Sequence, residues 1–208
     1  ACDRMAPQKR GAFRECFVRT GDIERVQSLP LFTDVAPETF RIATAGAHLQ
    51  RFPAGTMLLL EGEPVDFLYV LLDGQVELHG TWNDHETVLA ILRPVSTFIL
   101  AAVVLDADAL MSARTLDRCE ILMIPGDAIR TAMRLDASFA FAVSLDLAGC
   151  YRSLVRHTKN IKLRNSTERL ANYLLALRAA DHCGSVVRLR HEKRVLASLL
   201  GMTPENLS

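Results

Sequence analysis

The longest uninterrupted pattern covers residues 136–162, which contain no Pro and a single Gly, Gly149. Apolar or small residues recur there at Val143, Leu147, Cys150, Leu154, His157 and Ile161. Their alternating steps of four and three are those of a coiled-coil seam, with His157 the odd member. Arg152, Ser153, Arg156, Lys159 and Asn160 fill the other faces. A second apolar line, through Phe139, Ala142, Val143, Tyr151 and Val155, offers a face for the chain's own core. The pattern predicts one long helix that packs on its own domain and pairs with a second copy.

Upstream, short helices are expected over residues 22–29 and 37–45, the second opened by Pro37 and stopped by Gly46. From His48 the period shortens. Apolar runs at residues 57–60, 67–72 and 88–92, and the alternating Val76-Glu77-Leu78-His79, are separated by Glu61-Gly62-Glu63-Pro64, Asp73-Gly74 and Thr81-Trp82-Asn83-Asp84-His85. Short runs punctuated this often predict an antiparallel sandwich or barrel. Residues 114–124 read as its last strand, with Cys119, Ile121 and Met123 on one face. A short helix over 127–134 then leads into the long one. The class is α+β.

Beyond the long helix, Asn165-Ser166-Thr167-Glu168 is helix-start chemistry. A helix to about Ala180 buries Leu170, Leu174 and Leu177, a short strand follows at 186–189, and another helix spans 192–200. Leu200-Gly201-Met202-Thr203-Pro204-Glu205 is a tight corner. Gly201 suits a left-handed stop, Thr203 an N-cap, Pro204 the first helical position and Glu205 the positive helix end. Helix, short Gly turn and second helix make a helix-turn-helix, whose second helix can lie in the major groove of DNA. The chain stops at Ser208, little more than a turn into that helix, so the natural protein is expected to continue by roughly one helix and a hairpin.

Charge sharpens this reading. Net charge is zero, yet residues 1–150 hold 13 Lys/Arg against 20 Asp/Glu, whereas residues 151–208 hold 11 against 4. An acidic body with a basic C-terminal end points to a polyanionic partner there. Arg188, Arg190, Lys193 and Arg194 are the expected phosphate contacts. No apolar run is long enough for a membrane span, and residues 1–5 lack the apolar core of a signal peptide, so a cytoplasmic protein is expected. Five scattered Cys argue for thiols rather than a disulfide framework. No nucleophile–base set or phosphate loop indicates an enzyme.

The chain resembles the CRP/FNR superfamily of bacterial transcription regulators over nearly its whole length. The residues carrying the resemblance are Phe52-Pro53-Ala54-Gly55-Thr56, Glu61-Gly62-Glu63-Pro64, Tyr69-Val70-Leu71-Leu72-Asp73-Gly74-Gln75-Val76, Glu168-Arg169-Leu170-Ala171-Asn172-Tyr173-Leu174-Leu175, Lys193-Arg194-Val195-Leu196-Ala197 and Leu200-Gly201-Met202-Thr203-Pro204-Glu205-Asn206-Leu207-Ser208. The resemblance implies an N-terminal arm and short helix (1–29), a cyclic-nucleotide-binding-like β-roll sensor (30–134), a long dimerisation helix (135–163) and a winged helix-turn-helix (164–208), incomplete here. It implies a homodimer on a palindromic, FNR-box-like operator with a TTGAT-like half, acting with RNA polymerase. Thr203 falls where the family contacts phosphate; Glu205 and Ser208 fall where the FNR branch reads bases, beside Pro204. A regulatory module that binds a cyclic nucleotide and acts on a partner protein is the alternative.

The resemblance also frames the effector. Phe98, Ile99, Leu100, Ala101, Val103, Met111 and Ser112 occupy the cassette that holds cyclic AMP in family members binding it. Here the acid position is Ala101 and the Arg position is Met111, so cyclic AMP is not expected; a buried cyclic phosphate would have no charge partner. An iron–sulfur cluster is not expected either, since Cys2 and Cys16 are far apart and no close pair exists. The apolar cassette resembles that of Dnr-type nitric-oxide sensors. Haem is therefore the open alternative, with His48, His79 and His85 as candidate ligands beside Cys2 and Cys16. Cys150 and His157 read first as packing residues and second as redox-sensitive or pH-sensitive positions.

Overall fold

The structure, a computed structural model, describes residues 20–83, 85–181, 187–189 and 191–207. Two helices come first, α1 (Thr20–Gln27) and α2 (Pro37–Ala43), joined through a 3₁₀ turn at Pro30–Phe32. Eight strands follow: β1 (His48–Phe52), β2 (Met57–Leu59), β3 (Phe67–Asp73), β4 (Val76–Trp82), β5 (His85–Leu92), β6 (Ser96–Phe98), then, after α3 (Leu100–Leu105), β7 (Ser112–Thr115) and β8 (Cys119–Pro125). They form two antiparallel sheets, in the orders β1-β8-β3-β6 and β2-β7-β4-β5. Helices α4 (Gly126–Leu135), α5 (Ala137–Leu163), α6 (Ser166–Asp181) and α7 (Lys193–Leu199) follow among the described residues, with a 3₁₀ turn at Glu205–Leu207. No helix among the described residues is long and apolar enough to cross a membrane.

The unbroken apolar run of β3 has a simple cause. Its side chains alternate between two cores. Tyr69 and Leu71 join Phe52, Val76, Leu78 and Phe98 between the sheets. Leu68, Val70 and Leu72 point the other way, into a layer built with Val26, Phe32, Leu100, Ile129, Phe139 and Val143 from the helices. A strand covered on both faces has no need of polar alternation. Strand β8 does the same, with Cys119 and Ile121 inward and Leu122 and Ile124 outward.

Two strand expectations change. Residues 114–124 are not one strand but parts of two, β7 and β8, which lie in different sheets. The turn between them is pinned where the Asp117 Oδ1 accepts the Gln75 N–H at 2.7 Å. Gly74 lies against that turn with φ +87°, and a Cβ there would stand 2.5 Å from the Arg118 carbonyl oxygen. Only glycine fits such a position. The strand expected at 186–189 is not formed over residues 187–189, and Val186 lies outside the described residues.

The long helix begins where expected, and its first turn is fixed twice. Asp136 caps it, accepting from the Ser138 and Phe139 N–H groups at 2.8 and 3.2 Å, while its other oxygen accepts the Thr39 hydroxyl at 2.7 Å. Phe139, fully buried, stacks on Phe32 at 5.8 Å, and Phe32 meets Phe40 edge-on. Replacing Phe139 with Ala is expected to cost about 3–5 kcal/mol, read as a fall in the urea midpoint. A loss below about 1 kcal/mol would show that the helix does not depend on this anchor.

Helix α1 is tied to the roll by charge. Arg25 and Arg51 both donate to the carboxylate of Glu120 on β8, Arg51 at 3.1 Å. Burial pushes the Glu120 pKa up, but the two guanidiniums outweigh it and hold the group below its ordinary 4.5. A depressed folded pKa gives stability that is present above the unfolded pKa and lost as pH falls through the folded one. Glu120→Gln is thus expected to lower the urea midpoint at about pH 7, with the penalty shrinking towards about pH 3. A penalty that does not change with pH would contradict this pairing.

Candidate functional site

Helix α6 opens with a reciprocal cap: the Asn165 N–H reaches the Glu168 carboxylate and the Glu168 N–H reaches the Asn165 side chain, both at 2.9 Å. The helix buries Leu177, with Leu170 and Leu174 half-covered. Helix α7 buries Leu196 and Ala197. It ends as its sequence dictates. Gly201 is left-handed at φ +62°, the Met202 N–H bonds the Ala197 carbonyl at 3.0 Å and the Gly201 N–H bonds that of Ser198 at 2.9 Å, the Schellman pattern. A Cβ on Gly201 would meet Ile161 Cδ1 at 2.9 Å, so the end of α5 lies directly beneath this corner.

A residue that periodicity did not single out holds the corner together. Arg169 is buried, and its guanidinium donates to the carbonyls of Leu200, Gly201 and Arg164 at 2.7, 3.0 and 2.6 Å. One cation therefore satisfies both the end of α7 and the end of the α5–α6 linker. Past the corner, the Asn206 N–H approaches the Thr203 hydroxyl at 3.4 Å, and hydrogen bonds from the Glu205 N–H and Thr203 lower the Glu205 pKa. Thr203, Pro204 and Glu205 are exposed, as are Arg188, Lys193 and Arg194. Arg190 and Ser208 lie outside the described residues. Arg169→Ala is expected to cost about 2–4 kcal/mol locally, since charged hydrogen bonds are lost and carbonyls orphaned. Faster amide hydrogen exchange over residues 200–207 than over β3 would register it; unchanged protection would show that the corner closes without Arg169.

Helix α7 also rests on the roll. Its Ser198 hydroxyl accepts the Val88 N–H of β5 at 2.8 Å. Strand β5 is the edge of its sheet, so this contact covers backbone that would otherwise be open.

The expected seam divides. Val143 is fully buried in the chain's own core and Leu147 packs against it. Cys150 and Leu154 are exposed, while His157 and Ile161 are half-covered. The roll covers one face of the first turns of α5, and a straight helix drifts off a strict heptad as it leaves that cover. Beside Leu154, helix α5 exposes Phe141, Leu145, Tyr151, Val155 and Leu163. Phe141 and Leu145 line a cleft of about 1000 Å³ shared with Leu29, Val95 and Thr97, where Thr97 donates to Asp146 of α5. Burial and the Asp146 carboxylate raise the Cys150 pKa, which disfavours a reactive thiolate.

The cassette residues divide between the two cores. Leu100 and Val103 join the helix-side core, Phe98 lies between the sheets with Ile99 and Met111 packed against that core, and Ala101 is exposed. Phe98 stacks on Tyr69 at 5.1 Å, and burial, then Asp66 and Glu63, push the Tyr69 hydroxyl up to about 12. The Ser112 hydroxyl accepts the Glu61 N–H at 3.0 Å. No acid stands at Ala101 and no cation at Met111, so these residues do not fit a cyclic phosphate. Arg114 does not compensate, because it follows inward-facing Ala113 and reaches Glu77 at 2.5 Å and Glu86 at 2.8 Å instead.

The three candidate imidazoles are scattered. His85 is exposed at the start of β5. His48 meets the ring of Phe67 edge-on and lines a cleft of about 880 Å³ with Phe52, Met57, Tyr69 and Met123. His79 sits among Glu77, Glu86 and Arg114, and its Nδ1 has no hydrogen-bond partner. Cys2 and Cys16 lie outside the described residues. Cys119 is buried, with its thiol pushed up to about 11 by burial.

Residues 49–136 match the family model of the cyclic nucleotide-binding domain. Over 183 residues the chain is 24% identical to the CRP-like cAMP-activated global transcriptional regulator of Mycobacterium tuberculosis, which takes in 86% of this chain and 82% of that one. The fold is similar to that of FixK2 from Bradyrhizobium japonicum, with a TM-score of 0.68 at 19% identity over 77% of this chain and 80% of that one. It is similar also to the c-di-GMP-responsive global regulator CLP of Xanthomonas campestris, with a TM-score of 0.69 at 21% identity over 83% and 88%.

Proposed function

We propose that the chain is a member of the CRP/FNR superfamily and works as a dimeric, sequence-selective DNA-binding regulator of transcription with no enzymatic chemistry of its own, a reading supported by the cyclic nucleotide-binding domain match over residues 49–136 and the CRP-like relative. The observation that carries this reading is the corner after α7, braced from beneath by Arg169 and Ile161, with Thr203, Pro204 and Glu205 left exposed at the start of the next helical turn. A carboxylate such as Glu205 can accept from a cytosine amino group in the major groove, while Thr203, Arg188, Lys193 and Arg194 hold phosphates. The partner helix in the dimer meets Phe141, Leu145, Tyr151, Leu154 and Val155, which are too many exposed apolar groups for a helix facing only water. A change in the roll reaches the DNA end through α5, because the same helix carries Asp146 against Thr97 and Ile161 against Gly201. Activation by cAMP, which the Mycobacterium tuberculosis relative shows, is not part of this reading, given Ala101 and Met111. Haem, the cofactor alternative, has aromatic walls and an imidazole together at the His48 cleft rather than at the cassette.

The test is fluorescence anisotropy on duplexes carrying an FNR-type inverted repeat against a scrambled duplex. Binding is expected to prefer the repeat and to weaken steeply with salt. Lys193→Ala and Arg194→Ala should each flatten the salt slope by about one without changing sequence preference, and Glu205→Ala should relax preference by about 1–3 kcal/mol. Equal affinity for both duplexes would sink the reading and favour a module that acts on a protein partner.

A further inference from the structure

The outward face of the second sheet holds a group of side chains that neither DNA binding nor the effector cassette uses. Glu77 on β4 is 1% exposed and His79, two residues on, is 3% exposed. In the β4–β5 pairing Leu89 has no partner between Val88 and Ala90, a bulge beside His79. Glu86, on the same strand β5, is exposed. The His79 Nδ1 stands 3.8 Å from the Glu77 carboxylate and its Nε2 stands 3.7 Å from that of Glu86. Neither distance is a hydrogen bond. Among the described residues these three are the group whose ligand atoms all fall within 4.8 Å of one another.

Two observations ask for a cation beyond Arg114. Two carboxylates face one guanidinium, which leaves an unbalanced negative charge around a group as buried as Glu77. The imidazole nitrogen aimed at Glu77 is buried and has no partner, where buried polar atoms almost always have one. We propose that Glu77, His79 and Glu86 bind a divalent transition-metal cation of the zinc class. One imidazole and two carboxylates are a ligand set such ions accept, with bonds of about 2.0–2.2 Å and a further position for water. Two carboxylates balance a doubly charged ion. Arg114, whose side chain is 34% exposed, gives way to solvent as the ion enters. Glu86 lies two residues before Val88, whose N–H holds Ser198, so the ion draws inward the strand on which α7 rests. The metal site does not depend on the DNA-binding reading, and its readout is direct.

The experiment is a titration of the full chain with Co²⁺, followed in the visible for the ligand-field bands and in the near-ultraviolet for thiolate charge transfer. Saturable binding of one ion per chain is expected, without a thiolate band. His79→Gln is expected to weaken it by at least about tenfold. Glu86 is exposed, so Glu86→Gln keeps the fold, confirmed by its circular dichroism, and must weaken binding to a similar extent. Absence of saturable binding, a thiolate band at saturation, or unchanged affinity in Glu86→Gln would each overturn the site.

Discussion

The first turn of the long helix is the constraint from which the rest of the chain takes its geometry. A helix of 27 residues with charged groups along much of its length does not hold its direction alone. Here one end is fixed by a carboxylate that caps two amides and accepts the Thr39 hydroxyl, and by a phenyl ring stacked on Phe32 within the helix-side core. These contacts join α2, the 3₁₀ turn and α5 before the helix leaves the roll. Everything past Leu147 projects from that anchor, including exposed Tyr151, Leu154 and Val155 and, under the Gly201 corner, Ile161.

The roll is shaped by the same layered burial. Strands β3 and β8 are covered on both faces, one by the opposing sheet and one by helices, so they read as continuous apolar runs. Among the described residues the second sheet has no helix layer of that kind over its outward face. Its edge strand β5 instead meets α7, through the Ser198 hydroxyl on the Val88 amide. One strand thus borders both the Glu77–His79–Glu86 group and the helix that leads into the C-terminal corner.

Buried charge is handled in two ways. Arg169 is enclosed by carbonyl oxygens that would otherwise be orphaned at helix ends, so its burial is fully compensated. Glu77 is buried with a single shared guanidinium and an imidazole too far away to bond, so its burial is compensated only in part. The first arrangement builds a rigid corner. The second leaves a place where an ion changes the local balance.

Much of the architecture was legible from local chemistry. The long helix, the strand-rich middle with its Gly and Pro stops, the Asn165–Glu168 cap and the left-handed Gly201 stop all follow from residues within a few positions of one another, because period, capping and turn preference are properties of neighbours. The reading of residues 114–124 as one strand failed because a change of sheet is not a local signal; an apolar run looks the same whichever sheet receives it. The seam divided for a related reason. Val143 and Leu147 share a helical face with Cys150 and Leu154, and only the roll packed against the first turns decides which of them remain open. The cassette was legible as a loss, since Ala101 and Met111 lack the groups a cyclic phosphate needs, but its split between two cores was not. Nor could alternation along Val76-Glu77-Leu78-His79 reveal that its polar members are buried. Local chemistry determined the long helix, the helix caps and the strand-rich middle. The tertiary structure decided which faces water reaches, because burial depends on what the rest of the chain lays over each face.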